Sequence, residues 1–138
     1  MENKKQKKFL KIFYKNFWSI WFLVIVSLIL IFVANQDVLA KLSWQKYRRP
    51  EIALVLVRRD AGLAIQLGNY YFNGTIGRSE YNLEKAERAY RKAVAADNKI
   101  LWGHYQLARI YFVKENFDKA IEEINKELEF NPENLRSL

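Results

Sequence analysis

The sequence predicts an all-α chain, in which one uncharged apolar helix near the start precedes a short stack of helical hairpins. Three observations predict it. Gly and Pro are scarce, at 5 and 2 of 138 residues, while 51% of residues are hydrophobic, a balance that suits helices rather than disordered or collagen-like chains. Residues 16–36, NFWSIWFLVIVSLILIFVANQ, carry no charge. The stretch EKAERAYRKAVAAD from Glu84 has a counterpart in DKAIEEINKELEFN from Asp118.

The length accommodates one domain and an accessory segment, not two full cores. With 0 Cys there is no disulfide framework and no thiolate metal site. The net charge of +8 raises the question of nucleic acid, and its distribution answers it. Residues 1–50 hold 10 Lys or Arg against Glu2 and Asp37, whereas residues 51–138 hold 13 basic and 13 acidic residues. The excess therefore flanks the apolar run and the remainder is neutral, so no nucleic-acid partner is expected.

In chain order, residues 1–15 are a basic tail whose Lys4, Lys5, Lys7, Lys8, Lys11 and Lys15 suit an anionic membrane surface. Residues 16–36 form the apolar helix. At about 1.5 Å per residue it spans roughly 31 Å, the thickness of a bilayer core. Trp18, Trp21 and Phe22 at its start, after Phe13, Tyr14 and Phe17, are the amphipathic rings expected at an interface. The expectation is a single-pass signal anchor with membrane lipids as partners. Six Lys before the run against Lys41, Lys46, Arg48 and Arg49 after it place the N-terminus in the cytoplasm and the rest outside. Two alternatives stay open: a signal peptide cleaved after Ala40, with Val38 and Ala40 at the small-residue spacing, and a buried core helix.

Residues 37–50 form a basic juxtamembrane linker, with Trp44 and Tyr47 at the interface or on a continuation of the apolar helix. Pro50 breaks it, so a new helix starts near Glu51. The repeat domain covers residues 51–138, where Ala86, Tyr90 and Ala93 recur as Ala120, Ile124 and Glu127, at a constant offset of 34. Leu67, Gly68 and Tyr71 recur as Leu107, Ala108 and Tyr111, at a constant offset of 40. The second offset is the longer, so the unit is a helical hairpin whose first copy has an extended loop, around NGTIGRSE at 73–80. Small residues at Gly68, Ala86, Ala93, Ala108 and Ala120 let antiparallel helices approach, while Leu67, Tyr71, Tyr90, Leu107, Tyr111, Phe117 and Ile124 fill the space between hairpins.

These residues resemble tetratricopeptide repeats. The second copy, residues 101–134, carries Leu107, Ala108, Tyr111, Ala120 and Pro132 at the signature places. The first, about 61–100, carries Leu67, Gly68, Tyr71, Ala86, Tyr90, Ala93 and Asp97. The chain departs from the pattern at Ala64 and His104 for Trp, at Asn98 for the closing Pro, and at Glu127 for a small residue. The longer loop with Gly74 and Gly77 is similar to Sel1-like repeats. The resemblance implies a groove that holds a protein or peptide, lined by Ile65, Asn69, Phe72 and Asn73 and then by Trp102, Tyr105, Arg109, Phe112 and Val113. A carboxylate clamp needs Lys where Ile65 stands, so that ligand is not implied.

Enzyme signatures are missing from the sequence: there is no GxSxG, HExxH or Gly-Lys-Ser, and the one His is His104. No catalytic residue, metal or cofactor is expected. His104 reads as a packed structural imidazole, GTIG as a plain connection, and Glu122, Glu123, Glu127 and Glu129 as a solvated face with Lys126 paired to Glu122. Asn73-Gly74-Thr75 matches a glycosylation acceptor. Two repeats and the stub LRSL at 135–138 leave one end open, near Phe130 and Leu135, for a partner or a second copy of the chain. Residues 51–60 extend the first repeat helix and shield the other end. Taken together, the sequence predicts a membrane-anchored docking scaffold; the alternative is an exported, cleaved accessory subunit of an envelope enzyme or assembly complex.

Overall fold

The computed structural model describes residues 2–74 and 81–134, with side chains from Trp18 onward. The side chains of Lys4 to Lys15, residues 75–80 of the long loop with Gly77 and Thr75, and Leu135–Leu138 therefore lie outside the described residues. The chain divides into two units, Met1–Asn35 and Gln36–Leu138.

The first unit is α1, Glu2–Ala34. Between Trp18 and Val33 its large apolar side chains are exposed, apart from the partly buried Val26. The hydroxyl of Ser27, a polar group within the run, donates back to Leu23 O at 2.8 Å, so it needs no water. Among the described residues no single helix is long and apolar enough to cross a membrane; Trp18–Ala34 and Gln36–Gln45 reach that length together.

The second unit is three helical hairpins: α2 (Gln36–Gln45) with α3 (Pro50–Leu56), α4 (Ala61–Asn73) with α5 (Leu83–Ala96), and α6 (Gly103–Val113) with α7 (Phe117–Phe130). Four of these helices start for a local reason. Pro50 occupies the first turn of α3, where a missing N–H costs nothing. Asp60, Asn82 and Asn116 accept from the N–H groups of Leu63, Lys85 and Lys119 at the starts of α4, α5 and α7, satisfying amides that the helix leaves without partners.

The core of this unit runs through all three hairpins, from Ala40, Ala53, Leu54 and Val57 through Leu67, Tyr71, Ala86 and Tyr90 to Leu107, Ile110, Tyr111 and Ala120. Gly68 marks a close helix approach: a Cβ there would lie 2.3 Å from the Tyr90 ring. Between the second and third hairpins, Glu87 bonds Lys114 Nζ at 2.6 Å; within α5 it also bonds Arg91 Nε at 2.8 Å. Burial pushes the Glu87 carboxyl up, but these two cations outweigh it and hold it below the ordinary range.

Several expectations are corrected here. Residues 51–60 do not extend the first repeat helix. Asp37 accepts from the N–H groups of Arg58 and Arg59 at 2.7 and 3.0 Å, which draws the backbone into a turn, and Asp60 then caps α4. Residues 37–50 are largely helical as α2 and fold within the compact unit that begins at Gln36. Trp44 packs edge-to-face on Tyr70 with centroids 5.1 Å apart. Phe117, expected between hairpins, is 54% exposed, because no further hairpin follows it among the described residues.

The carboxylates of α7 are corrected as well. Lys126 does pair with Glu122, at 2.6 Å. Glu123, however, turns inward onto His104 Nδ1 at 2.6 Å, and Glu127 is fully buried. A carboxylate is buried only when its lone pairs are occupied, and Glu127 accepts from the backbone N–H groups of Trp102, His104 and Tyr105. Trp102 sits at the left-handed φ of 74° and brings no capping side chain to α6. Glu127, reaching across the hairpin, caps that helix instead.

Candidate functional site

The groove expected from the repeat pattern follows α6. Along this helix, Tyr105, Arg109, Phe112 and Val113 keep the helical spacing, so successive turns present them in one direction, with Trp102 just before its start. Trp102 and Tyr105 meet edge-to-face with centroids 5.7 Å apart. Arg109 lies 6.0 Å from the Tyr105 ring and 4.3 Å from that of Phe72, on α4. Its Nη1 donates to Gln106 Oε1 at 2.8 Å. The guanidinium is half-buried and held between neighbours, a cation whose geometry is set before any ligand arrives.

Beside Arg109 is a cleft of about 290 Å³ lined by Phe72, Ala108, Phe112, Val113, Ala120 and Ile124. The lining is apolar apart from Arg109, and no carboxylate contributes to it. Ala108 and Ala120 make the space: small side chains where α6 meets α7 leave room that Phe72 and Phe112 wall in. Phe112 is 65% exposed and leans on Phe117, with ring centroids 5.7 Å apart.

Four of the nine expected groove residues, Phe72, Arg109, Phe112 and Val113, thus share one cleft, with Tyr105 and Trp102 continuing along α6. The other three differ. Asn69 accepts the phenol of Tyr90 at 2.9 Å, a hydroxyl that burial keeps protonated by pushing its pKa far upward. Ile65 is partly buried and packs against the core. Asn73 is exposed as the last residue of α4. Ala108, Ala120 and Ile124 were assigned to helix packing by the sequence, and they do that while also forming the cleft floor. A second, larger cleft of about 670 Å³ lies between Leu101, Trp102 and Phe130–Asn134; of its polar groups, Asn131 and Asn134 are already committed to Glu127.

Among the described residues, no group of three or more His, Asp or Glu side chains is placed to hold a metal ion. His104 is buried between Glu123 and the carbonyl of Asn98, 3.2 Å from Nε2, which is a structural setting.

No family model matches the chain, and no curated protein matches it. Among solved structures it is similar to the crystal structure of MamA, a tetratricopeptide-like helical protein, at 23% identity and a TM-score of 0.53, over 76% of this chain. The chain spans 61% of the length of that one. This likeness does not extend to the Sel1-like variant. With three stacked hairpins built on small-residue contacts, the chain has a tetratricopeptide-like helical-repeat fold.

Proposed function

We propose that the protein is a membrane-anchored scaffold that docks a partner protein through the cleft beside Arg109. The observation that carries the reading is Arg109 itself: a guanidinium seated on Phe72 at the edge of an apolar cleft, with no carboxylate in the lining. Such a pairing of a fixed cation with apolar volume selects an extended segment or helix that offers an acidic group next to an apolar side chain. Docking, not catalysis, is the activity this reading assigns.

The anchor is α1, with the apolar run of 16–36 as the span, the N-terminus cytoplasmic and the repeats on the far side. The fold supports a retained anchor over a cleaved leader. Cutting after Ala40 would halve α2, removing Asp37 and its bonds to the turn before α4. Self-association through the open C-terminal end of the repeats, near Phe130 and Leu135, belongs to the same reading.

Two measurements test it. A photo-reactive residue at Phe112 should crosslink a discrete partner in cells, and Arg109→Glu should abolish the product while one at Asn125 gives none. Crosslinking that ignores Arg109→Glu would rule out this cleft. Protease treatment of spheroplasts should remove a C-terminal tag and spare the Lys-rich end; protection of the tag would reverse the orientation.

A further inference from the structure

The first hairpin carries a second surface that the groove does not use. On α2, Val38 and Leu42 stand opposite buried Ala40; on α3, Ile52 and Val55 stand opposite buried Ala53 and Leu54. All four are exposed, Val55 to 71%. A monomer does not usually leave several large apolar side chains exposed on two adjacent helices in water. Around them are Lys41, Lys46, Arg48, Arg49, Arg58 and Arg59, all exposed.

The acidic groups of the same hairpin are engaged. Asp37 is held by backbone N–H groups, Glu51 pairs with Lys85 Nζ at 3.3 Å, and Asp60 caps α4. What the hairpin leaves exposed is therefore a set of apolar side chains and a set of cations that flank them in the sequence. We infer that this face of α2 and α3 rests on an anionic lipid surface, with Val38, Leu42, Ile52 and Val55 at the acyl boundary and the cations at the headgroups. Long Lys and Arg stems can lie along apolar surface while their charges reach phosphate. Chain continuity favours this occupant over a protein, because Gln36 directly follows the apolar helix. The inference rests on the membrane reading above and adds a second, peripheral contact to it.

A chain with 0 Cys makes the test clean. Single cysteines at Leu42, Val55 and, as control, Asn125 of the full chain are labelled with an environment-sensitive nitrobenzoxadiazole dye. Each is then reconstituted into phosphatidylcholine vesicles with or without phosphatidylglycerol. The expected result is a blue shift with roughly a twofold intensity rise at positions 42 and 55 in anionic vesicles only. It should fade as salt shortens the screening length from about 10 Å at 0.1 M to about 3 Å at 1 M. Neutralising Lys46, Arg48 and Arg49 to Gln should weaken docking roughly fivefold per cation; these exposed positions leave the core intact, and the salt series needs no variant.

Alkaline extraction of the same vesicles separates this inference from the anchor. A chain that resists extraction while positions 42 and 55 report water overturns the docked face and spares the anchor. Extraction with the anionic shift intact supports the face and overturns the span. A shift that appears equally without vesicles, rising with protein concentration, assigns the face to a second copy and overturns the lipid assignment.

Discussion

Replacing Glu127 should loosen the third hairpin, because this one carboxylate completes two pieces of structure. Its Oε1 accepts from Trp102 N–H at 3.0 Å and from the side-chain amides of Asn131 and Asn134 at 3.0 and 2.9 Å. Its Oε2 accepts from the N–H groups of His104 and Tyr105 at 3.1 and 3.2 Å. Gln keeps the shape but must present an NH2 on one side. Turned toward His104 and Tyr105 it strands two backbone donors; turned the other way it strands Trp102 alone, since both Asn amides can rotate to offer oxygen. The second orientation is cheaper, at about 1–3 kcal/mol for one buried amide left without a partner.

Glu127→Ala removes every acceptor at once and strands three backbone amides. Recovery of the carboxylate's own desolvation cost offsets part of that, leaving about 3–5 kcal/mol. At about 4–8 °C per kcal/mol for a domain near this size, Gln should lower the melting temperature by roughly 10 °C and Ala by more. Circular dichroism melts give the temperatures. Amide exchange at Trp102, His104 and Tyr105 locates the effect, with the amides of α4 as reference. If Glu127→Ala melts like the parent chain with those three amides still protected, the capping argument is wrong.

Further outcomes follow from the same geometry. Gly68→Ala places a Cβ 2.3 Å from the Tyr90 ring and should destabilise by about 1–3 kcal/mol despite better helix propensity; in a Tyr90→Leu background the cost should largely vanish, which a double-mutant cycle in urea measures. For Asp37, burial raises the carboxyl's pKa, but the N–H groups of Arg58, Arg59 and Asp60 outweigh it, so the net shift is downward. Its contribution is therefore full above the unfolded value near 4 and lost as pH falls through the folded value. Asp37→Asn should cost about 1–2 kcal/mol at neutral pH and flatten the melting temperature's dependence between pH 5 and pH 3, about one unit either side of that unfolded value. Arg109→Gln should leave stability within about 1 kcal/mol while weakening the crosslink formed from position 112.

The repeat was legible in the sequence because close helix packing restricts residue type. Only Gly fits at 68 against Tyr90, and small residues must recur wherever two helices touch, so the offsets of 34 and 40 located α4 through α7 without coordinates. The chemistry of the groove was half legible for the same reason. Spacing along α6 sets the direction of Arg109, Phe112 and Val113, but it does not say that Asn69 is taken by Tyr90 or that Ile65 turns to the core, since those depend on which side chains the neighbouring helix brings alongside.

The first hairpin was not legible as one. Its helices are short, at 10 and 7 residues, and the basic residues and Trp44 read as an interface. Long-range contacts decided it: Asp37 gathers amides from the far end of α3, and Tyr70 receives Trp44. Glu127 shows the same limit from the other side. By itself an acidic run on an amphipathic helix signifies a wet face, and the sequence determined the helix correctly. Whether one of its carboxylates faces water or a row of unpaired backbone N–H groups is set by the start of α6, on the opposite arm of the hairpin. Local periodicity determines which helices form and which stripe they bury. Tertiary structure alone decided which polar groups are drawn into that stripe, because a buried charge is stable only where separate segments converge to satisfy it.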